Sequence, residues 1–369
     1  MKITSATVYG IRLPFIEPFI ISYHTYKDMP SVILELHTDE GITGYGEATP
    51  DEHVTGETFD GVIAVLTEFL IPAVIGEDPF NIEAIHEKMD KLLYENPSAK
   101  AAVDIACYDL MGKKAELPVY YLLGGRFHNQ LDVPKVLSIL EPEVMAQQAK
   151  AAKEEGYSSI KLKVGTDAKK DVERIHAVRS AVGPDFPIRV DANQGWQTVS
   201  EALSVIRKIE DCGIDWMEQP VVAHDIDALA EVRAKTTIPI MIDEGLHSLK
   251  EMREVIAKKA ADKINIKLMK CGGLYRGSQL VHIAEMAGIT CQVGSMVESS
   301  IATAAGLHLT TAKKAIQSHE LVGPLMFSKD IAQLPFTKNA IALSDKPGLG
   351  IEIDKDALEE ITCRKMEIK

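Results

Sequence analysis

One pattern recurs between residues 159 and 267, where short apolar segments end in a charged side chain and an amphipathic stretch follows each of them. Asp191, Glu218, Asp243 and Lys267 follow one another at intervals of about 25 residues, which is the length of one strand–helix unit. An isolated charge is unfavourable inside a strand buried on both faces, so these residues are expected at strand ends. The pattern predicts a parallel sheet with helical crossovers.

Eight segments have the length and apolar content of buried strands. They are KVLSI, SIKLKV, PIRVD, DWMEQ, IPIMIDE, KINIKL, TCQVGSM and IQSHEL. Helical stretches such as VSEALSVIRKIEDC separate them. Eight strands with helical crossovers predict a closed parallel barrel, and a doubly wound open sheet is the alternative.

The N-terminal third has a different pattern of apolar and polar residues. Residues 1 to about 55 alternate as antiparallel strands do, with a turn at Asp39-Glu40-Gly41. From Phe59 the pattern becomes helical, and one long helix is predicted from an N-cap at Ser98. We predict an α+β domain over residues 1–125, the barrel over 126–330, and a segment over 331–369 whose strand-like GIEID returns to the first domain.

Composition excludes several classes of protein. The formal net charge of −14 disfavours nucleic acid as a partner, because phosphate binding needs a basic surface. No apolar run approaches the length of roughly 18 residues that spans a membrane. The start MKITSATVYG has no hydrophobic signal segment. Five scattered cysteines form no CxxC pair, which disfavours a thiolate zinc site and favours a reducing, cytoplasmic location.

The charged strand ends predict a chemistry when they are taken together. Residues at the C-terminal ends of barrel strands converge on one mouth, so Asp191, Glu218 and Asp243 are expected to meet. Alone, each acid has the plainer interpretation of a helix cap, but three close carboxylates repel one another unless a cation lies between them. Oxygen ligands favour Mg²⁺ over zinc.

Three lysines complete this constellation. Lys161 and Lys163 lie two apart on one strand and therefore point the same way, whereas Lys267 lies about four strands further round the barrel. Close cations depress the pKa of a lysine, which favours a neutral amine base. Two bases on opposite faces of a substrate suit removal and return of a proton next to a carboxylate, which is racemisation.

At these residues the chain resembles the enolase superfamily, in its muconate-lactonising subgroup, through KLKVG, DANQGW, WMEQP, MIDE, NIKLMKCGG and GSMVES. The resemblance implies a modified (β/α)₇β barrel with an N-terminal α+β capping domain. It implies that Lys163 and Lys267 are the acid/base pair, and that Lys161 touches the substrate carboxylate and lowers the pKa of Lys163. It also implies three magnesium ligands: Asp191, Glu218 and Asp243.

Within the subgroup the chain looks most like N-succinyl-amino-acid racemases and dipeptide epimerases, whose capping loops, here residues 14–30 and 49–57, set substrate choice. Dipeptide epimerases typically carry an Asp-x-Asp pair at the last barrel strand for the free ammonium. The matching residues here are Glu320 and Val322. A free ammonium would then be poorly paired, which favours an N-acylated nitrogen.

The first capping loop differs as well. Epimerases acting on Ala-Glu have an Arg at the position that His24 occupies in this chain. The presence of Asp51 and Tyr26 suggests that the substrate has a cationic side chain, which these two residues would bind. The prediction is therefore an isomerase acting on N-succinyl-Lys or N-succinyl-Arg. The plainer interpretation, in which Asp51 is a solvated loop charge, has equal weight.

Two further residues are candidates for substrate contact. We expect Glu298 to contact substrate or to support a base lysine, and we expect Ser138 on the first barrel strand to line the pocket. The alternative functions are a dipeptide epimerase, an o-succinylbenzoate synthase or cycloisomerase, and a non-catalytic metal-binding protein. A small-molecule carboxylate is the expected partner, and a homo-oligomer is expected because such barrels often associate.

Overall fold

The computed structural model describes residues 1–369 and contains fourteen strands. The strands are β1 (Ile3–Ile20), β2 (Thr25–Thr38), β3 (Thr43–Ala48), β4 (Leu131–Asp132), β5 (Pro134–Leu137), β6 (Ser159–Lys163), β7 (Ile188–Asp191), β8 (Trp216–Glu218), β9 (Ile240–Ile242), β10 (Lys263–Ile266), β11 (Thr290–Val293), β12 (Ile316–His319), β13 (Ala340–Ile341) and β14 (Thr362–Ile368).

Fourteen α-helices alternate with these strands or cover them. They are α1 (Phe59–Ala64), α2 (Ile71–Val74), α3 (Ile82–Leu92), α4 (Pro97–Ala115), α5 (Val119–Leu122), α6 (Pro142–Glu155), α7 (Ala168–Val182), α8 (Val199–Ile206), α9 (Ile226–Ala234), α10 (Leu249–Lys258), α11 (Leu268–Cys271), α12 (Leu274–Met286), α13 (Ser300–Ala312) and α14 (Lys355–Ile361). A π-helical segment, Val65–Leu70, joins α1 to α2, and 3₁₀ turns cover Glu210–Cys212 and Gly323–Leu325.

The N-terminal sheet is antiparallel, in the order β14-β1-β2-β3. Helix α4 packs against β3 so closely that a Cβ at Gly46 would lie 1.8 Å from the carbonyl oxygen of Ala102, so only glycine permits this approach. The predicted N-cap at Ser98 is wrong. The cap is Asn96 at φ 57°, because Pro97 takes the first helical position, which its fixed φ favours.

The barrel sheet has the order β12-β11-β10-β9-β8-β7-β6-β5, with every pair parallel. A doubly wound sheet would reverse its strand order, so that alternative is wrong. Helices follow the first seven strands, and only a 3₁₀ turn follows β12. The predicted (β/α)₇β barrel and its N-terminal α+β unit are confirmed.

The C-terminal segment meets the first sheet in an unexpected place. Residues 350–354, expected as the returning strand, have no regular structure, and the strand that pairs with β1 is β14. Most side chains of β14 are exposed, so its sequence lacks the buried alternation on which strand prediction depends. One continuous apolar cluster joins β1 and α4 to the barrel. None of the helices combines the length with the hydrophobicity that a membrane-spanning helix needs.

Candidate active site

Three acidic residues meet at the C-terminal mouth of the barrel. Asp191 ends β7, Glu218 ends β8, and Asp243 follows β9 directly. Parallel pairing sets Asp191 opposite Glu218, so the two side chains point to the same side. All three are fully buried, and one oxygen of each lies within 4.8 Å of the others. The structure brings together the three carboxylates that the sequence predicted would meet.

Buried carboxylates this close need compensating charge. Burial raises the pKa of Glu218, and the negative charge of Asp191 raises it further. Asp243 Oδ2 receives no hydrogen bond of good geometry. The donor set contains oxygen and neither imidazole nor thiolate, which suits a hard divalent cation. The residues present therefore fit the divalent metal that the family resemblance implies.

Strand β6 places two lysines on one side of these acids. Lys161 Nζ lies 2.8 Å from Asp191 Oδ2, 2.8 Å from Glu218 Oε2 and 2.5 Å from Glu320 Oε2. Lys163 Nζ donates a hydrogen bond of 2.6 Å to Asp191 Oδ2. Residues two apart on a strand share a face, which explains why both amines reach one carboxylate.

The other side of the acid cluster has a lysine pair that the sequence did not fully predict. Lys267, directly after β10, has its Nζ 2.8 Å from Asp243 Oδ2. Lys270 was missed: its Nζ lies 2.6 Å from Asp243 Oδ1 and also donates to the carbonyl oxygens of Asp243 and Asn265. Asp243 is thus held between two amines. The only signal for Lys270 was its place in the segment NIKLMKCGG.

The carboxylates dominate the electrostatics of two of the amines. Burial lowers the pKa of Lys161, but the attraction of Asp191 and Glu218 outweighs it and raises the pKa well above its usual value. For Lys267 burial is likewise outweighed, by Asp243 and Glu244, and the pKa is raised. Three of these four carboxylates are the ones that a divalent cation would bind.

A cavity of 50 Å³ joins the barrel mouth to the capping loops, and Lys163, Lys267, Tyr23, Tyr26 and Asp51 line it. Asp51 is 7% exposed. Its Oδ2 accepts a hydrogen bond of 2.5 Å from the hydroxyl of Tyr26, and its Oδ1 accepts the N–H groups of residues 53 and 54 at 2.8 and 2.9 Å. The plainer interpretation of Asp51 as a solvated loop charge is therefore wrong.

Further polar groups that the sequence did not indicate surround these residues. Glu244 also lines the 50 Å³ cavity, and its Oε1 accepts a hydrogen bond of 2.9 Å from Asn193. Asn265 donates a hydrogen bond of 2.8 Å to Glu218 Oε1. A larger cavity of 790 Å³ lies between residues 52–56 and α10, but among the active-site lysines only Lys270 reaches its wall.

Four other predicted residues lie outside the small cavity. His24 is exposed and packs on the ring of Tyr26 at a centroid distance of 4.3 Å. Ser138 Oγ accepts a hydrogen bond of 3.3 Å from the N–H of Ile20. Glu298 accepts the N–H of residue 296 at 2.8 Å and so holds a loop whose residues line the cavity. Glu320, directly after β12, pairs with Lys161.

Comparison with known protein families places both halves of the chain. The family described as mandelate racemase / muconate lactonizing enzyme, N-terminal domain, matches residues 3–124. The family described as enolase C-terminal domain-like matches residues 144–357.

Two relatives are similar over most of the chain. An N-succinyl-L-Arg/Lys racemase from Bacillus cereus is 56% identical over 362 residues, which cover 98% of both chains. A hydrophobic dipeptide epimerase from Enterococcus faecalis is 43% identical over 322 residues, which cover 87% of this chain and 90% of the relative.

Solved structures agree with these sequence matches. The crystal structure of the N-succinyl Arg/Lys racemase from Bacillus cereus superposes with a TM-score of 0.99 at 55% identity, covering 100% of both chains. The Enterococcus faecalis dipeptide epimerase, complexed with Mg and the dipeptide L-Leu-L-Tyr, gives a TM-score of 0.92 at 40% identity, covering 95% of this chain and 100% of the other.

Proposed function

This chain belongs to the mandelate racemase / muconate lactonizing enzyme family of the enolase superfamily, and from that premise we propose that it racemises N-succinyl-lysine and N-succinyl-arginine. The observation that carries the proposal is the cavity where Lys163 and Lys267, the proposed bases, meet Asp51, a buried acid on the capping loop. The 56% identity to a Bacillus cereus N-succinyl-L-Arg/Lys racemase supports the same substrate class.

We propose that the metal is Mg²⁺ and that the three strand-end carboxylates, Asp191, Glu218 and Asp243, hold it. Their all-oxygen donor set supports this choice, as does the Mg in the structure of the Enterococcus faecalis relative. When bound, the ion supplies positive charge that favours loss of a proton next to the substrate carboxylate. The family resemblance assigns Lys161 to that carboxylate, and in this structure its Nζ pairs with Asp191, Glu218 and Glu320.

The proton is moved by the protein's own amines. Lys163 lies on β6, and Lys267 follows β10, four strands away around the barrel, so they reach a substrate in the mouth from different sides. One amine takes the α-proton, and the other returns a proton to the opposite face of the carbon. Exchange of the two roles makes the reaction reversible, which a racemase requires.

Side-chain selection belongs to the capping loops. Asp51 is held rigidly by two backbone N–H groups and by Tyr26, so the carboxylate is preorganised for a cationic group. The barrel wall does not favour a free α-ammonium, because Glu320 is bound to Lys161 and Val322 is apolar and buried. These contacts support an acylated nitrogen rather than a dipeptide.

Binding requires the capping loops to move. The cavity of 50 Å³ is far below the roughly 300–1,000 Å³ of pockets that hold drug-sized ligands. Tyr23 lies in the loop between β1 and β2, and Tyr26 is the second residue of β2. Displacement of this loop would admit the substrate, and its return would exclude water from the lysines. A cytoplasmic location and a homo-oligomeric state remain predictions from the sequence.

The proposal is tested by incubating the Mg²⁺-loaded enzyme in deuterated water with a panel of N-succinyl amino acids and dipeptides. Mass spectrometry and chiral chromatography then report α-deuteration and inversion for each compound. Fastest turnover of N-succinyl-Lys and N-succinyl-Arg is expected. A preference for N-succinyl-Glu would contradict the assigned role of Asp51, and formation of a dehydrated product would indicate a lyase instead.

Dipeptide epimerisation is the second candidate, and the 43% identity to the Enterococcus faecalis epimerase favours it. The two functions differ in the group at the α-nitrogen of the substrate. Comparing N-succinyl-Lys with L-Ala-L-Lys in the same assay separates them, because the dipeptide carries a free ammonium that Glu320, paired with Lys161, is poorly placed to receive.

A further inference from the structure

A second group of potential metal ligands lies at the opposite end of β8 from the carboxylate site. Cys212 and Asp211 belong to the 3₁₀ turn before β8, and His176 projects from α7 beside them. The Sγ of Cys212 lies 3.4 Å from His176 Nδ1 and 3.8 Å from Asp211 Oδ1. The three ligand atoms all lie within 4.8 Å of one another.

These distances are close to those of a tetrahedral zinc site. With Zn–S about 2.3 Å and Zn–N or Zn–O about 2.0–2.2 Å, tetrahedral angles put neighbouring ligand atoms roughly 3.4–3.6 Å apart. The two separations from the sulfur are 3.4 and 3.8 Å, so the ligand atoms are already spaced for one ion. Three protein ligands would leave the fourth position for water.

The imidazole is anchored through one nitrogen, as in many metal sites. Nε2 of His176 lies 2.8 Å from the carbonyl oxygen of Lys208 and donates to it when that nitrogen carries the proton. The Sγ of Cys212 lies 3.4 Å from Nδ1 and 3.9 Å from Nε2, so the sulfur does not lie along the lone pair of Nδ1, and the ring has to turn before that nitrogen can bind an ion. A ligating histidine usually donates its other N–H to a carbonyl or carboxylate in this way, because that bond fixes the ring and its tautomer.

Exposure and charge also suit a divalent ion. Cys212 is 2% exposed, whereas Asp211 is exposed, so an ion can enter from solvent and end against a buried sulfur. One thiolate and one carboxylate would neutralise its two positive charges. The neighbouring Arg179 donates hydrogen bonds to backbone carbonyl oxygens: its Nε donates to Cys212 O at 2.6 Å, and its Nη1 donates to two others. These donors are therefore not directed at the three ligand atoms.

We propose that Cys212, His176 and Asp211 form a binding site for one Zn²⁺ or another first-row transition metal of similar softness, separate from the magnesium site. The soft sulfur selects such ions over Mg²⁺. On binding, the S–H bond breaks, a sulfur–metal bond forms and the proton leaves to solvent. Because the thiol must lose its proton to bind the ion, binding strengthens as pH rises.

The test uses the full-length protein saturated with Mg²⁺ and titrated with Co²⁺, a spectroscopic substitute for zinc. Wild type is expected to show a thiolate-to-cobalt charge-transfer band that saturates at one equivalent and disappears when Zn²⁺ is added. Cys212→Ser should abolish the band, and His176→Ala should weaken Co²⁺ binding at least tenfold. Cys363→Ser is the matched control, since Cys363 is the exposed cysteine, and it should keep the band.

Melting without added transition metal shows whether Cys212→Ser is folded, and Zn²⁺ should raise the melting temperature of wild type but not of this variant. A band that persists in Cys212→Ser, or no band in wild type, would overturn the proposal and leave an ordinary thiol–imidazole contact. Neither outcome touches the proposed racemase activity, which uses residues at the other end of the barrel.

Discussion

Asp51 offers a sharp prediction because its surroundings limit what it can bind. A carboxylate has about four acceptor directions, and the N–H groups of residues 53 and 54 and the Tyr26 hydroxyl fill three of them. Asp51 also lines the cavity that contains both proposed bases. The remaining direction is available to one cationic group of a substrate. Asp51→Asn keeps the shape of the side chain and removes its charge.

The magnitude follows from the kind of bond that is lost. A hydrogen bond to a charged partner contributes about 1.5–3 kcal/mol, and each 1.4 kcal/mol is a factor of ten in kcat/KM. Asp51→Asn should therefore lower kcat/KM for N-succinyl-Lys by about 10- to 150-fold. N-succinyl-norleucine, which has no side-chain ammonium, should change by less than about threefold. Tyr26→Phe, which removes one supporting bond, should have a smaller effect in the same direction.

The assay is the initial rate of α-deuteration in deuterated water for both substrates with wild type, Asp51→Asn and Tyr26→Phe. The decisive quantity is the ratio of the two kcat/KM values, since a general loss of activity cancels in it. An unchanged ratio in Asp51→Asn would refute the assignment of Asp51 to the cationic side chain. It would leave the proposed lysine chemistry intact.

Three other predictions concern stability and the metal. Burial lowers the pKa of His308 to about 4, so the contribution of its neutral form to the free energy of unfolding is fully present above pH 6.5 and is lost as the pH falls toward 4. In urea unfolding, the drop in this free energy between pH 7.5 and pH 5 should be about 2 kcal/mol smaller for His308→Gln than for wild type. Equal drops in the two proteins would contradict this. Glu57 accepts hydrogen bonds from the N–H groups of Ser98 and Ala99 at the start of α4. Glu57→Ala should therefore lower the free energy of unfolding in urea by about 1–3 kcal/mol, and Glu57→Gln should lower it by less. An unchanged free energy of unfolding in both variants would refute the capping role. Chelation with EDTA should abolish deuteration and excess Mg²⁺ should restore it, and activity that survived exhaustive chelation would contradict a metal-dependent reaction.

Much of the barrel was predictable because several strands carry two independent signals. The segment PIRVD is apolar as a buried strand must be and ends in the charge of Asp191, and in SIKLKV the charge of Lys163 stands at the last position of β6. Regular spacing of the acids then fixed which strands are neighbours. Pairing of Lys163 with Asp191 across β6 and β7 follows from that order.

The misses have physical causes. Strand β14 is mostly exposed, so burial left no pattern in its sequence, and its pairing with β1 is visible only in three dimensions. Lys270 looks like a surface lysine three residues after Lys267, yet the turn into α11 directs it inward to Asp243. The raised pKa of Lys161 was not predictable, because the sequence does not give the distances from its amine to the carboxylates.

The central claim is that two amines act on opposite faces of one carbon, and single-base variants test it most directly. Lys163→Ala and Lys267→Ala are each incubated in deuterated water with the separate enantiomers of N-succinyl-Lys, and deuteration and inversion are followed together. Each variant should lose inversion by at least a thousandfold, and each should still exchange the α-proton of one enantiomer, a different one for each variant. Inversion at the wild-type rate in either variant, or exchange of the same enantiomer in both, would contradict the two-base mechanism.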